Sequence, residues 1–304
     1  MSAIKKSPAL FTLPSFPIKV QIWVSFFVLT LAWGSSFMLV KKGMQSFSPW
    51  QVASIRLVAA MTVFLPFALK YFREIPKAKL PYIILSGLLS MFVPAFMFCA
   101  AQLGLSSSLV GVLNALTPAF TFIFGVLFYQ QKSKLMQIVG LSIGFIGSAF
   151  LIFINAKGEI ALNSYAFYVV AATICYGINV NMVKRHLPDI KAIHLTSVAV
   201  SVSGLLALPY LLTTDWLSIL QNAPKGKESL MAIITLGVVG TAFAQFIFNR
   251  MLQYSTAVFA SSITYFIPIV AVMWGVSDGE VLLPLHFLGI SCIIGGILIL
   301  NKFR

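Results

Sequence analysis

Apolar residues in this chain come in long runs divided by short polar connections. Ten such runs, at 22–41, 48–69, 80–101, 107–129, 135–155, 163–184, 193–212, 230–251, 256–277 and 285–302, lie near the roughly 20 residues a helix needs to cross the hydrocarbon of a bilayer. The pattern predicts an all-α membrane protein of ten transmembrane helices, with 1–21 as a cytoplasmic tail. Nothing is left over for a soluble domain, so any activity must sit among the helices.

Two of the runs are interrupted in the same way. Asn114, Pro118 and Gly125 in the fourth recur as Thr264, Pro268 and Gly275 in the ninth, each at an offset of 150. Leu65-Pro66 recurs as Leu208-Pro209 and Trp33-Gly34 as Tyr176-Gly177, both at 143. Gly140, Ser142 and Gly147 recur as Gly289, Ser291 and Gly296 at 149. Matches in one order with small drifts in loop length are what a duplicated unit leaves behind. The units are 22–155 and 163–302. Five helices is an odd number, so the second unit enters the membrane from the opposite side, giving inverted repeats around a central site. Paired interrupted helices in corresponding halves point to a solute-transport site.

Composition sharpens this. Charged residues are 9% of the chain against 59% hydrophobic, too few to cover a soluble surface. The net charge of +14 would fit nucleic-acid binding, but the position of the charges excludes it. With the N-terminus inside, fifteen Lys and Arg fall on the cytoplasmic side and five on the other, the asymmetry that orients membrane proteins. Both termini are then cytoplasmic. The tail lacks the apolar core of a cleaved secretory signal. Cys99, Cys175 and Cys292 lie far apart inside apolar runs, which fits neither a disulfide framework nor a metal cluster.

Trp33-Gly34-Ser35-Ser36-Phe37, Pro49 with Arg56, the two proline helices and the glycine-spaced tenth helix together resemble an EamA-type permease of the drug/metabolite transporter superfamily, over about residues 22–302. The resemblance implies two inverted EamA units, a solute cavity between them and the fifth and tenth helices outside it. Gln130 stands where the family usually has an acidic residue, and Tyr176 where it usually has tryptophan.

The candidate solute-binding residues follow from polarity at membrane depth. A proline inside a helix frees the carbonyl four residues back, so Pro118 and Pro268 expose carbonyls beside Asn114 and Thr264, and such backbone is tolerated only against protein or a water-filled cavity. Arg56 lies about 12 Å into its helix at a 1.5 Å rise per residue. A buried charge marks a functional site by default, although it can also snorkel or brace a carbonyl cluster. Ser36, Asn179, Gln245, Asn249 and Ser261 add hydrogen-bonding groups, and Trp33, Tyr176 and Tyr265 add flat walls with one polar edge. Ser35, Gln102, Asn181 and Ser262 are polar at similar depth. All seven acidic residues fall in loops or at helix ends. Proton-driven carriers usually keep a carboxylate or histidine in the membrane, so facilitated diffusion, exchange or coupling through the substrate's own proton is expected.

The expected function is alternating-access export or exchange of small organic metabolites such as amino acids, in the bacterial inner membrane. Solute and lipid are the expected partners, with a homodimer as a further one; no metal or organic cofactor is expected. An intramembrane enzyme would need a nucleophile with a base at its depth, and a channel a charged ring or filter-like stretch. Neither pattern stands out, and an intramembrane enzyme acting on a lipid or peptide, or a small-solute channel, is the alternative reading.

Overall fold

The computed structural model describes residues 17–130, 134–153 and 163–302. Most of the N-terminal tail and the connection between the two units therefore lie outside the described residues. Among the described residues every regular element is helical. Each expected run forms a helix: α1 Ile18–Gly43, α2 Pro49–Tyr71, α3 Lys77–Ala101, α4 Ser107–Tyr129, α5 Leu135–Phe153, α6 Ala166–His186, α7 Ala192–Leu212, α8 Gly226–Tyr254, α9 Ala257–Ser277 and α10 Pro284–Lys302. A short helix, Trp216–Asn222, precedes α8 and was not legible as an apolar run. Eight of the ten are long and apolar enough to cross a membrane; in α5 and α10 the apolar stretches with described side chains, Leu135–Gly147 and His286–Gly296, are shorter.

Local chemistry sets the helix ends. Ser48 and Gln51 form a reciprocal capping box at the start of α2, satisfying donors that the first turn leaves open. Ser106 caps α4 and Thr256 caps α9, each by accepting from the backbone N–H three residues on. At its far end α4 stops at Gln130 in the left-handed region (φ 54°), where α9 is followed by Gly279 (φ 82°).

Close packing is glycine-mediated. A Cβ on Gly147 of α5 would lie 2.7 Å from the carbonyl oxygen of Gly289 in α10. A Cβ on Gly204 of α7 would lie 2.9 Å from the Leu57 carbonyl oxygen in α2. α5 packs chiefly on α10, and α2 on α7 along its length. The outer surface is apolar: Phe27, Leu69, Leu212 and Met273 are 60–73% exposed. Asn114, Asn179, Asn181, Gln245 and Asn249 are buried. Such an inside-out distribution suits lipid, not water, as the surrounding solvent, and the protein is an integral membrane protein.

Candidate solute-binding cavity

A cavity of about 80 Å³ lies among α1, α2, α3, α4, α6, α8 and α9. Its walls are shaped by departures from regular helix. In α8, residues Leu236–Phe243 form a π-helical segment, a form that concentrates at functional sites. There the Thr241 hydroxyl donates to the Leu236 carbonyl at 3.0 Å and accepts from Arg56 Nε at 2.6 Å. One residue earlier, the Gly240 carbonyl accepts from Trp33 Nε1 at 3.1 Å. A Cβ on Gly240 would stand 2.7 Å from Ser36 Oγ, so glycine is what lets α1 approach. A second π segment, Leu88–Phe92 in α3, brings Ser90 and Met91 to the cavity.

The two proline helices are broken by 3-10 turns, Asn114–Leu116 and Ser262–Tyr265. Here the structure corrects the sequence expectation. The Asn114 carbonyl, which Pro118 cannot bond, accepts from the Thr117 hydroxyl at 2.8 Å and from the backbone N–H that tightens the turn. It is therefore not open to solute. The Thr264 hydroxyl likewise donates to the Ser261 carbonyl at 2.8 Å. Pro118 and Pro268 open the helical segments that follow and are not lining residues.

Of the thirteen expected site residues, the cavity brings together nine: Trp33, Ser36, Arg56, Asn114, Tyr176, Asn179, Gln245, Ser261 and Thr264. Four fall outside the lining. Besides the two prolines, Tyr265 is buried elsewhere, and Asn249 sits behind Gln245. There it accepts from Gln245 Nε2 at 3.4 Å and donates to Thr196 Oγ1 at 2.9 Å, tying α8 to α7. Thr241, Gly240, Thr117, Phe98 and Phe248 line the cavity but were not singled out from sequence. For Thr241 and Gly240 a signal exists in the Gly237-x-x-Gly240-Thr241 spacing within an otherwise apolar run. The aromatic walls are paired: Trp33 with Phe248 (5.3 Å between centroids) and Tyr176 with Phe98 (6.0 Å). Asn179 Oδ1 has no hydrogen-bond partner among the described residues.

The two ends of the bundle differ. At one end Glu280 accepts from the backbone N–H and hydroxyl of both Ser107 and Ser108, between 2.6 and 3.1 Å, and from Lys41 Nζ at 2.9 Å. Lys41 also pairs with Asp278 at 2.7 Å. This cluster ties α1, the N-terminus of α4 and the end of α9 together. At the other end, α4, α5, α6 and α9 surround an open vestibule of about 450 Å³ lined by Tyr129, Lys134, Lys184, Arg185 and Thr256 among others. Among the described residues no group of three or more His, Cys, Asp or Glu is placed to hold a metal ion.

A bundle of membrane-crossing helices around a buried cavity with a few polar groups, with an ionic cluster at one end and an open vestibule at the other, has the construction of a membrane transporter. The model of the EamA-like transporter family matches residues 21–153 and again 163–302, and the chain belongs to that family. It is 24% identical to the uncharacterized inner membrane transporter YedA of Escherichia coli K12, over 93% of this chain and 91% of that protein. To a probable amino-acid metabolite efflux pump of Salmonella typhimurium it is 24% identical, over 72% of this chain and 71% of the pump. A crystal structure 13% identical in sequence matches it with a TM-score of 0.68, covering 93% of this chain and 97% of the other; the likeness is one of fold.

Proposed function

We propose that the protein exports or exchanges small organic metabolites, amino acids or related solutes, by alternating access of two inverted five-helix units, 22–155 and 163–302. The observation that carries this reading is the central cavity, lined from both units, in a bundle that has an ionic cluster at the Lys41 end and an open vestibule at the Lys184 end. Helix contacts support the inverted repeat, because they come in matched sets. α1 packs on α8 and α9 as α6 packs on α3 and α4, while α2 and α5 pack on their own counterparts α7 and α10. The fifteen-to-five basic asymmetry supports cytoplasmic termini. That orientation puts the open vestibule inside the cell, where an exporter loads. The name of the Salmonella relative, a probable amino-acid metabolite efflux pump, supports the solute class.

An untargeted metabolite comparison of inside-out vesicles with and without the protein tests it. Uptake of small organic solutes, saturable and abolished by cross-linking Lys41→Cys to Glu280→Cys, is the expected result. Flux that continues under verified cross-linking would point to a channel instead.

A further inference from the structure

Among the described residues Arg56 is the cavity's sole cationic lining residue, and its charge has no counter-ion there. Among the described residues no carboxylate lines the cavity and none pairs with Arg56. Its contact with Thr241 uses Nε alone. The guanidinium has five N–H donors, so four remain on the two Nη nitrogens, for which the described residues offer no partner. A brace between α2 and α8 would need only a neutral donor. A cation held in a low-dielectric interior without a partner is costly, and in a membrane protein such a group faces a bundle interior or aqueous cavity and marks a pathway.

We infer that Arg56 is the anion subsite of this carrier, and that its solutes bear a single carboxylate, which the Nη fork grips while the rest of the molecule lies against Trp33, Tyr176 and Phe98. This rests on the proposed transport function and specifies its substrate class. The planar fork matches a carboxylate in bidentate fashion. With one arginine, the cavity neutralises one negative charge, which disfavours di- and polyanions. The aromatic walls and the unpartnered Asn179 Oδ1 suit an uncharged body or an α-ammonium group. The vestibule extends the same logic: Lys134, Lys184 and Arg185 line it with no acidic side chain among the lining residues, so its field draws anions toward the cavity. At the opposite end the acidic groups are held by Lys41.

The test is a panel of matched acids and primary amides, from acetate and acetamide up to tryptophan and tryptophanamide. Binding to the purified full-length protein is read by thermal shift and calorimetry. Acids should bind roughly 10–100-fold more tightly than their amides, the size of a charge-assisted pair of hydrogen bonds. Arg56→Gln should bring each acid down to its amide, and Arg56→Lys should keep part of the preference. Dicarboxylates should gain nothing over monocarboxylates. Acids and amides that bind alike in the unaltered protein, a panel without any bound acid, or a preference that survives Arg56→Gln would each overturn the inference. If Arg56→Gln does not fold, the unaltered protein and Arg56→Lys decide. Vesicle uptake of amides or amines with no carboxylate preference would leave the transport function standing and remove only this assignment. Acid binding at Arg56 without flux of any solute would do the reverse.

Discussion

Glu280 shows how one side chain can hold two elements in register. Burial alone would raise its pKa, but the hydroxyls of Ser108 and Ser107, the Lys41 ammonium and the Ser108 backbone N–H favour the charged form more strongly, and it falls from 4.5 to about 2. The carboxylate also lies at the N-terminus of α4, where the helix dipole favours negative charge. Because the folded-state pKa is depressed, the stabilisation is fully present above the ordinary carboxylate value and is lost as pH falls from there through about 2. Physiological pH changes therefore leave this seal closed. Gly275 is part of it, since a Cβ there would run into Ser108 Oγ and Glu280 Oε2. Glu280→Gln should loosen the seal at every pH above 5. Val40 lines the cavity next to Lys41, so Val40→Cys, with the native cysteines replaced by alanine, reports on it. An impermeant thiol reagent applied from the Lys41 side should label this position roughly tenfold faster in the Gln variant, the scale of a lost charged hydrogen bond. Equal labelling rates would mean that the Glu280 cluster does not limit access.

At the scale of the element, what sequence could show and what it could not separate cleanly. The helices were legible because lipid requires about 20 apolar residues of each span, and their ends drifted by only a few positions where polar residues prolong a helix. The breaks in α4 and α9 were legible from Pro118 and Pro268. Their consequence was not, because a 3-10 turn and the Thr117 hydroxyl take up the carbonyl that proline leaves. The π segments left almost no trace: no residue type marks an extra residue in a helical turn, and Thr241 meets Arg56 across 185 positions of chain. Nine site residues came together because polar groups at membrane depth must face the interior; Asn249 does so too, but toward Thr196. The π segment of α8 makes a sharp prediction. Gly240→Ala places a methyl against Ser36 Oγ and should push α1 from α8, cutting transport roughly tenfold with little loss of expression, as overpacking does. Adding Ser36→Ala removes the atom that clashes and should restore part of the activity, the coupling expected of residues in contact. Transport that falls equally in the single and double variants would place the fault elsewhere.

At the scale of the whole molecule, sidedness and asymmetry decide how the proposed cycle runs. Cysteines placed at Lys77 and at Lys225 should lie on opposite faces: in intact cells the first stays unlabelled by an impermeant reagent and the second reacts. Labelling of both from outside would overturn the orientation. The repeat then explains why the ionic cluster stands at one end. At offset 143 Lys41 corresponds to Lys184, and at offset 150 Glu280, Ser107 and Ser108 correspond to Gln130, Ala257 and Val258. The lysine is duplicated, but the carboxylate and the two hydroxyls are not, and Lys184 donates instead to the Leu252 carbonyl at 2.7 Å. Among the described residues the counterpart of the Lys41–Glu280–Ser107–Ser108 cluster is therefore missing at the Lys184 end, which in the proposed cycle favours the state closed at the Lys41 end. Building the missing lock with Gln130→Glu, Ala257→Ser and Val258→Ser should favour closure at the Lys184 end. Each 1.4 kcal/mol that the new lock adds shifts the two-state ratio about tenfold. Val40→Cys in this background should become more reactive from the Lys41 side, and a cysteine at Thr256 less reactive from the other. Reactivities that change together in one direction, or not at all, would show that the two ends do not alternate.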